Sequence, residues 1–253
     1  MLDNATVNKL REMKLSAMAN KFAWQLGKPD MQSLSFEERF GMLVDAEWLD
    51  KRGRRIDRLI RHAEFRIAVA VEDINYYEVR GITKADVMRL CGCTFVQRHQ
   101  NLILSGPTGV GKTFISCAIG RCACNLDMAA RYLRVSDLLL AFDEARSSKA
   151  YLPFRKRLAG VPLLILDDWG LKGFTSGESH DLMELFELRY DRASTVISGQ
   201  LPPSSWHGLF PDPTLADAIL DRIIHNAYKF NLTGESMRKT IAMRGFENDG
   251  QNI

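Results

Sequence analysis

The sequence predicts an α/β protein, with a mainly parallel sheet flanked by helices and a smaller helical domain before it. Two observations from the second half of the chain indicate the sheet. Short apolar runs of strand length are separated there by longer segments of helix length, and polar motifs follow the runs where parallel sheets place their ligands. A third observation, apolar residues at helical intervals after Ser35, indicates the helical domain.

The composition is that of an ordinary globular protein and argues against several other classes. The 253 residues are 46% hydrophobic and 26% charged, and no stretch approaches the roughly 20 apolar residues that cross a bilayer. We therefore expect no membrane partner and, with no apolar leader at the start, a cytoplasmic location. A net charge of +3 is too small to indicate nucleic acid by itself. Five cysteines, with C-x-C rather than C-x-x-C spacing, indicate reduced structural thiols.

The first motif follows a predicted strand at Asn101–Ser105 and precedes a predicted helix at Phe114–Asn125. Its letters, GPTGVGKT, match the phosphate-binding pattern G-x-x-x-x-G-K-[ST]. Its glycines allow positive φ angles and a close approach of backbone N–H groups to phosphate. Lys112 is expected to reach the β- and γ-phosphates of a nucleotide, and the Thr113 hydroxyl to bind Mg²⁺. The predicted nucleotide contacts are Gly106, Pro107, Thr108, Gly109, Val110, Gly111, Lys112, Thr113 and Phe114.

The second motif is a pair of carboxylates at the end of another apolar run. Val161–Leu166 is followed directly by Asp167 and Asp168, and Asp167 lies 55 residues after Lys112. Because the run predicts a buried strand, both acids are expected at the ligand-binding edge of the sheet. Asp167 is predicted to hold Mg²⁺ through its ligand shell, and Asp168 to orient or deprotonate an attacking water.

Two further predicted strands and the absence of one motif indicate which class of P-loop protein and which nucleotide to expect. Residues 129–135 predict a strand between the two motifs, with a helix at about 136–146, which separates the chain from simple kinases and Ras-like GTPases. The guanine-selecting N-K-x-D is absent after the P-loop, so ATP is favoured. Residues 192–198 predict a fourth strand, followed by Gln200. Gln200 is expected either to contact the γ-phosphate or the water, or to be a turn residue before two prolines.

The N-terminal part of the chain predicts helices and carries a basic run. Ser35 and Glu38 form a capping-box pattern before one helix, and a further helix is predicted from Arg54 to Val71. A run of basic residues from Lys51 to Arg66 has only two acids within it, and it is either a solvated face or a phosphate-binding surface. The candidate DNA contacts of this run are Arg52, Arg54, Arg55, Arg58 and Arg61.

Four stretches together resemble a known family. GPTGVGKT, LLILDDWG, TVISGQLP and DAILDRIIHNAYKFNLTGESMRK are similar to the ATP-binding helper proteins of insertion sequences, the IstB group, over roughly residues 1 to 245. This group shares its core with the DnaC helicase loaders. The resemblance implies an AAA+ P-loop core with a mainly parallel five-stranded sheet and a reduced or absent C-terminal lid. It also implies an N-terminal domain at 1–71, a linker packed on the core at 72–97, and an ATPase domain at 98–253.

The resemblance also implies roles for two arginines. Arg222 matches the arginine finger, which reaches the ATP of a neighbouring subunit; without the family, a surface ion pair on its own helix is favoured. Arg238 falls near the second sensor. With few residues after Arg238 for a lid, we expect an open ATP pocket, closed by a neighbour, and coupling between nucleotide binding and assembly.

The family implies a function in DNA transposition. Its members bind duplex DNA with little sequence preference, form ATP-dependent homo-oligomers on it, and act on a cognate transposase. A second basic segment faces the central channel in many AAA+ rings, although a basic surface loop needs no function; its candidate DNA contacts are Arg146, Lys149, Arg155, Lys156 and Arg157. Two alternatives stay open: a helicase loader in replication, and a nucleotide-gated DNA scaffold with little turnover.

Overall fold

The structure is a computed structural model that describes residues 2–74 and 81–237. Contacts within the chain divide it into two compact units, residues 1–58 and 59–253. The domain boundaries predicted after residues 71 and 97 stay predictions, because contacts alone do not show which parts fold independently. Within the described ranges, every helix is too short or too polar to span a bilayer.

Three helices form the first unit and lead out of it. They are α1 (Leu2–Glu12), α2 (Ser16–Leu26) and α3 (Phe36–Ala63). The predicted capping box at the start of α3 is confirmed: Ser35 N donates to Glu38 Oε2 at 2.8 Å, and Glu38 N donates to Ser35 Oγ at 3.2 Å. Two N–H groups that the helix itself leaves unpaired are thereby satisfied.

The prediction of a separate helix from Arg54 to Val71 is wrong, because α3 runs without a break from Phe36 to Ala63. A single glycine at position 53 costs a helix only about 1 kcal/mol, which does not interrupt an element of 28 residues. The helix ends where Glu64 takes a left-handed φ of 52°. Arg131 caps this end, since its guanidinium donates to the His62 carbonyl at 3.0 Å.

The second unit contains a five-stranded, wholly parallel sheet, which confirms the predicted fold class. The strands are β1 (Asn101–Ser105), β2 (Ala130–Arg134), β3 (Leu163–Trp169), β4 (Ser194–Gly199) and β5 (Ala227–Asn231). Their spatial order is β2-β3-β4-β1-β5. The strand that carries the P-loop therefore lies beside β4, and β4 lies beside the strand that carries the two aspartates.

Helices cover both faces of the sheet, which explains why β1 and β3 contain continuous apolar runs. Leu102 and Leu104 of β1 belong to one buried cluster, and Ile103 between them belongs to the other. The helices of this unit are α4 (Lys84–Cys91), α5 (Thr94–Gln97), α6 (Lys112–Asn125), α7 (Val135–Ser147), α8 (Tyr151–Ala159), α9 (Ser176–Arg189) and α10 (Pro213–Ile224). Because both faces are buried, ligands can reach the sheet only at the ends of its strands.

Two segments for which the sequence predicted no helix contain helices. Residues 81–97, part of the predicted linker, form α4 and α5. Their Val87, Leu90 and Val96 are buried in the core.

The second segment, 146–157, is not the basic surface loop that was one of its two interpretations. It contains the end of α7, a short turn and most of α8, and the rings of Tyr151 and Phe154 pack on Phe142.

The five cysteines are free thiols in the second unit. Cys93, Cys117 and Cys124 are buried. Burial raises the pKa of Cys93 to about 12 and that of Cys117 to about 11. Cys93 and Cys117 therefore keep their protons at neutral pH, and the structural role of all five cysteines stays a prediction.

Candidate functional site

The P-loop has the backbone that its glycines predicted. Gly106, Gly109 and Gly111 have φ angles of 140°, 89° and 101°. At Gly106 a side chain is also excluded by space, since a Cβ atom there would lie 2.1 Å from the Leu232 carbonyl oxygen. The helix that follows begins at Lys112, two residues earlier than predicted. The first turn of α6 therefore directs its N–H groups towards the loop.

Lys112 lies against the loop that it follows. Its Nζ donates to the Gly106 and Pro107 carbonyls, both at 2.7 Å. Burial lowers the pKa of Lys112, and the carboxylates of Asp167 and Asp168 oppose that shift. The ammonium is therefore held close to two negative charges in a partly desolvated site.

Asp167 is a buried carboxylate, 1% exposed, that accepts hydrogen bonds from three hydroxyl groups. Thr113 Oγ1 and Tyr132 Oη donate to Asp167 Oδ2 at 2.7 and 2.8 Å, and Ser198 Oγ donates to Oδ1. Burial and the bond to Asp167 both raise the pKa of Tyr132, so this hydroxyl keeps its proton. Asp167 thus links the first turn of α6 to β2 and β4.

A bulge in β3 brings the second carboxylate to the same place. In a regular strand the side chains of Asp167 and Asp168 would point to opposite faces. The register of β3 against β4 shifts between Leu166 and Trp169, and Asp168 has a left-handed φ of 61°. Such bulges redirect side chains, and aspartate tolerates this conformation better than most residues. Asp168 Oδ2 lies 3.8 Å from Arg66 Nη1 and 3.7 Å from Arg134 Nε.

Lys112, Thr113, Asp167 and Asp168 all line one cavity of about 200 Å³ at the carboxyl ends of the strands. Gln200 is among its lining residues, where the end of β4 was expected to place it; its contact with a phosphate or water stays a prediction. Among the residues that the structure describes, the lining is Arg66, Ile67, Thr108, Gly109, Gly111, Lys112, Thr113, Phe114, Asp167, Asp168, Gly199, Gln200 and Met237.

Several residues of the site were not identified from the sequence. Arg66 was counted only with the basic run, and Tyr132 and Ser198 only as strand residues. Met237 N donates to the Gly109 carbonyl at 3.0 Å, which brings the GESM stretch onto the P-loop. Arg238, the expected second sensor, lies outside the described residues. The alternation of residues along β2 and β4 is the one signal that could have indicated Tyr132 and Ser198.

Arg222 lies at the amino ends of the strands, whereas the cavity lies at their carboxyl ends. Its carbonyl accepts from Asn101 Nδ2 at 3.2 Å, and Asn101 begins the strand that ends at the P-loop. The length of β1 separates the two ends by roughly 13 Å. The Arg222 guanidinium donates to the Ala218 carbonyl at 2.7 Å and pairs with Glu187 of α9, not with an acid of its own helix.

The predicted DNA contacts lie outside the cavity, and several have acidic or aromatic partners. Arg54 pairs with Asp50 at 2.6 Å, and Arg52 stacks on Trp48 at 5.2 Å from the ring centre. In the second basic segment Arg146 pairs with Asp181 at 2.6 Å, Arg155 pairs with Glu184, and Arg157 stacks on Phe154. Lys149 and Lys156 are exposed, and so is Arg58 of α3.

The site suits a magnesium ion that is shared with a ligand. Thr113 Oγ1 and Asp167 Oδ2 are hard oxygen donors 2.7 Å apart, of the kind that Mg²⁺ binds together with phosphate oxygens. In the described parts of the chain, no three His, Cys, Asp or Glu residues cluster as metal ligands. An ion here would therefore complete its shell with phosphate and water.

A P-loop and paired aspartates on a parallel sheet of this order define a nucleotide-binding protein of the AAA+ class. The chain belongs to the family of IstB-like ATP-binding proteins, which it matches over residues 8–244. An insertion sequence ATP-binding protein of Sinorhizobium fredii is 41% identical over 94% of this chain and 98% of its own length. The ATP-binding protein of the insertion sequence IS1162 of Pseudomonas fluorescens is 35% identical over 81% of this chain and 89% of its own.

Solved structures show the same fold at low sequence identity. The DnaC helicase loader has a TM-score of 0.55 and 16% identity, over 65% of this chain and 96% of that one. DnaI has a TM-score of 0.58 and 18% identity, over 70% of this chain and 94% of that one. The resemblance to the insertion-sequence helpers and to the DnaC core is therefore confirmed for family and fold.

Proposed function

We propose that the protein is a magnesium-dependent ATPase. The observation that carries this proposal is the 2.7 Å contact between Thr113 and Asp167, beside Lys112 in one cavity. Lys112 would neutralise the β- and γ-phosphates, and Thr113 and Asp167 would hold Mg²⁺, in part through water. The bound ion would supply charge neutralisation at the phosphate oxygens.

Asp168 is the residue proposed to act on water. Its side chain lines the cavity and is 38% exposed, whereas the carboxylate of Asp167 is buried and accepts hydrogen bonds from three hydroxyl groups. Asp168 can therefore accept a proton from, or orient, a water molecule that enters beside the γ-phosphate. Gln200, in the same cavity, would contact that phosphate or that water.

Arg222 is proposed as an arginine finger that acts on a neighbouring subunit. It cannot reach the cavity of its own chain across the length of β1. Its pair with Glu187, which is 56% exposed, would open when a neighbour presents a triphosphate. ATP bound between subunits then stabilises the oligomer, and assembly stabilises ATP binding.

The proposed ligand of the oligomer is duplex DNA. The basic residues of α3 and of the α7–α8 segment would contact phosphates, which carry no sequence information, so we expect little sequence preference. Since relatives that cover nearly the whole chain are named for insertion sequences, we propose that the assembly forms on target DNA during transposition. There it would recruit or regulate a cognate transposase.

A second candidate is a helicase loader, which the fold shared with DnaC favours. The two functions differ in the DNA that they need. A loader acts on single strands beside a helicase, whereas a transposition helper assembles on the duplex.

The test is sedimentation and electron microscopy of Asp168→Asn with ATP or ADP, on duplex and single-stranded DNA of equal length. We expect oligomers that require ATP and form on the duplex. Preference for the single strand would favour the loader, and failure to assemble with ATP on either DNA would contradict the proposal.

A further inference from the structure

Arg66 brings a second positive charge into the nucleotide cavity. Its Nη1 lies 4.0 Å from Asp167 Oδ2 and 3.8 Å from Asp168 Oδ2, and Asp167 Oδ2 also accepts a hydrogen bond from Tyr132. Among the described residues that line the cavity, Arg66 and Lys112 are the two with positive charge. The sequence assigned Lys112 to phosphate binding, but no motif includes Arg66.

The two cations occupy different sides of the carboxylates. Lys112 Nζ is bound to the loop carbonyls of Gly106 and Pro107. Arg66 comes from the segment after α3 and approaches from the side of β2, where Tyr132 lies. A ligand that fills the cavity beside Asp167 and Asp168 therefore meets a cation from the loop and another from this segment.

The segment that carries Arg66 is anchored on either side of it. Arg131 donates to the His62 carbonyl and pairs with Glu64, and Val69 is buried in the core cluster. The Phe65 ring lies so close to α6 that a Cβ atom on Gly120 would be 2.5 Å from it. The Arg66 backbone is thus held in place, and its side chain is 34% exposed and within reach of solvent and of a ligand in the cavity.

The charges around Arg66 change when the cavity is filled as proposed. A divalent ion at Thr113 and Asp167 would repel a guanidinium next to the same carboxylate. When the ion binds together with ATP, the γ-phosphate lies beside it. A guanidinium can pair with a phosphate through two parallel hydrogen bonds. ADP lacks that phosphate and offers the guanidinium no such partner.

We infer that Arg66 binds the terminal phosphate of ATP from within the same chain, and so makes the site prefer ATP to ADP. The inference rests on the proposed function, because it requires that the cavity binds Mg²⁺ and ATP. It assigns to the segment after α3 the distinction between the two nucleotides. The Asp167 and Asp168 carboxylates hold the guanidinium beside the position that this phosphate would take.

The test compares affinities for a non-hydrolysable ATP analogue and for ADP, each with Mg²⁺, by isothermal titration calorimetry. We expect Arg66→Gln to weaken binding of the analogue about tenfold to a hundredfold and binding of ADP less than about threefold. Arg66→Lys should recover part of the preference. Thermal melting of each variant confirms that it is folded.

One matched control separates phosphate binding from other roles of the charge. Arg134→Gln removes another arginine beside Asp168 and should leave the ratio of the two affinities unchanged. An equal loss for both nucleotides in Arg66→Gln, or the same change of ratio in Arg134→Gln, would overturn the inference but not the proposed function. If the wild-type protein bound neither nucleotide, the proposed function would fail with it.

Discussion

Thr113 Oγ1 lies 2.7 Å from Asp167 Oδ2, so the first turn of α6 and the end of β3 are joined by one hydrogen bond. The two residues come from different motifs, 54 positions apart in the chain. Their contact explains how two local sequence patterns form one site. It also defines where a metal ion and the phosphates of a nucleotide would bind beside Asp167 and Asp168.

Asp168→Asn should keep ATP binding and lose turnover. The amide preserves the shape of the side chain at the bulge but cannot accept a proton from water, so we expect phosphate release to fall at least about a hundredfold. Calorimetry should show ATP affinity within about threefold of wild type. Normal turnover in this variant would refute the role of Asp168, and turnover that is negligible even in the wild-type protein would favour the nucleotide-gated scaffold.

Arg222→Ala should be inactive alone and active again in mixed oligomers. Mixed in equal amounts with Asp168→Asn, it supplies intact ATP sites while its partner supplies intact fingers, and about a quarter of the interfaces would then be complete. The ATPase rate of the mixture should exceed the mean of the two variants measured alone. A rate no higher than that mean would show that Arg222 does not act between subunits.

Lys149→Glu with Lys156→Glu should weaken duplex binding and reduce its salt dependence. Both side chains are exposed, whereas Arg155 between them is paired with Glu184. The slope of log affinity against log salt should become shallower by about one for each DNA phosphate that the variant no longer neutralises. Lys229→Glu, the same type of substitution on exposed Lys229 of β5, is the control for charge reversal at a single lysine. Equal slopes for the double variant and wild type would remove this segment from the DNA interface.

Arg189→Met should destabilise the second unit strongly. The buried guanidinium donates to four backbone carbonyls and one hydroxyl, those of Leu158, Ala159, Val161, Ser194 and Thr195. Methionine fills much of the space but leaves these acceptors unpaired, which should cost at least about 3 kcal/mol. Urea unfolding measures the loss. Exposed Arg192, replaced by Met, should change stability by less than about 0.5 kcal/mol, and a similar loss in both variants would contradict this account.

The parts of the site that are local in sequence were predictable. The P-loop and the Asp-Asp pair each combine a strand, a turn and a few chemically specific residues within about ten positions. The sequence located four of the strands to within a few residues, and β1 and β3 were the clearest, because both faces of the sheet are buried and these two strands contain continuous apolar runs. The family resemblance added the fifth strand, whereas the order of the strands is known only from the structure.

The parts that depend on contacts distant in sequence were not predictable. Arg66 belongs to the basic run by composition, and only the anchoring of its segment on α6 and β2 brings it to Asp168. The bulge at Asp168 leaves no mark in the letters of β3. α3 continues through Gly53 because one glycine destabilises a helix by too little to end it, and the sequence pattern does not show how small this effect is. The sequence also indicated no helix at 151–159, where the rings of Tyr151 and Phe154 pack on Phe142 and α8 forms.

The central claim is that the loop amides, Lys112 and the Thr113–Asp167 pair hold ATP with Mg²⁺. Its most direct test is a calorimetric titration of the purified protein with ATP, with and without Mg²⁺ and duplex DNA, beside Lys112→Ala. We predict binding that requires Mg²⁺ and that is lost, together with assembly, in Lys112→Ala. No Mg²⁺-dependent binding by the wild-type protein, or equal binding and assembly by the variant, would contradict the account.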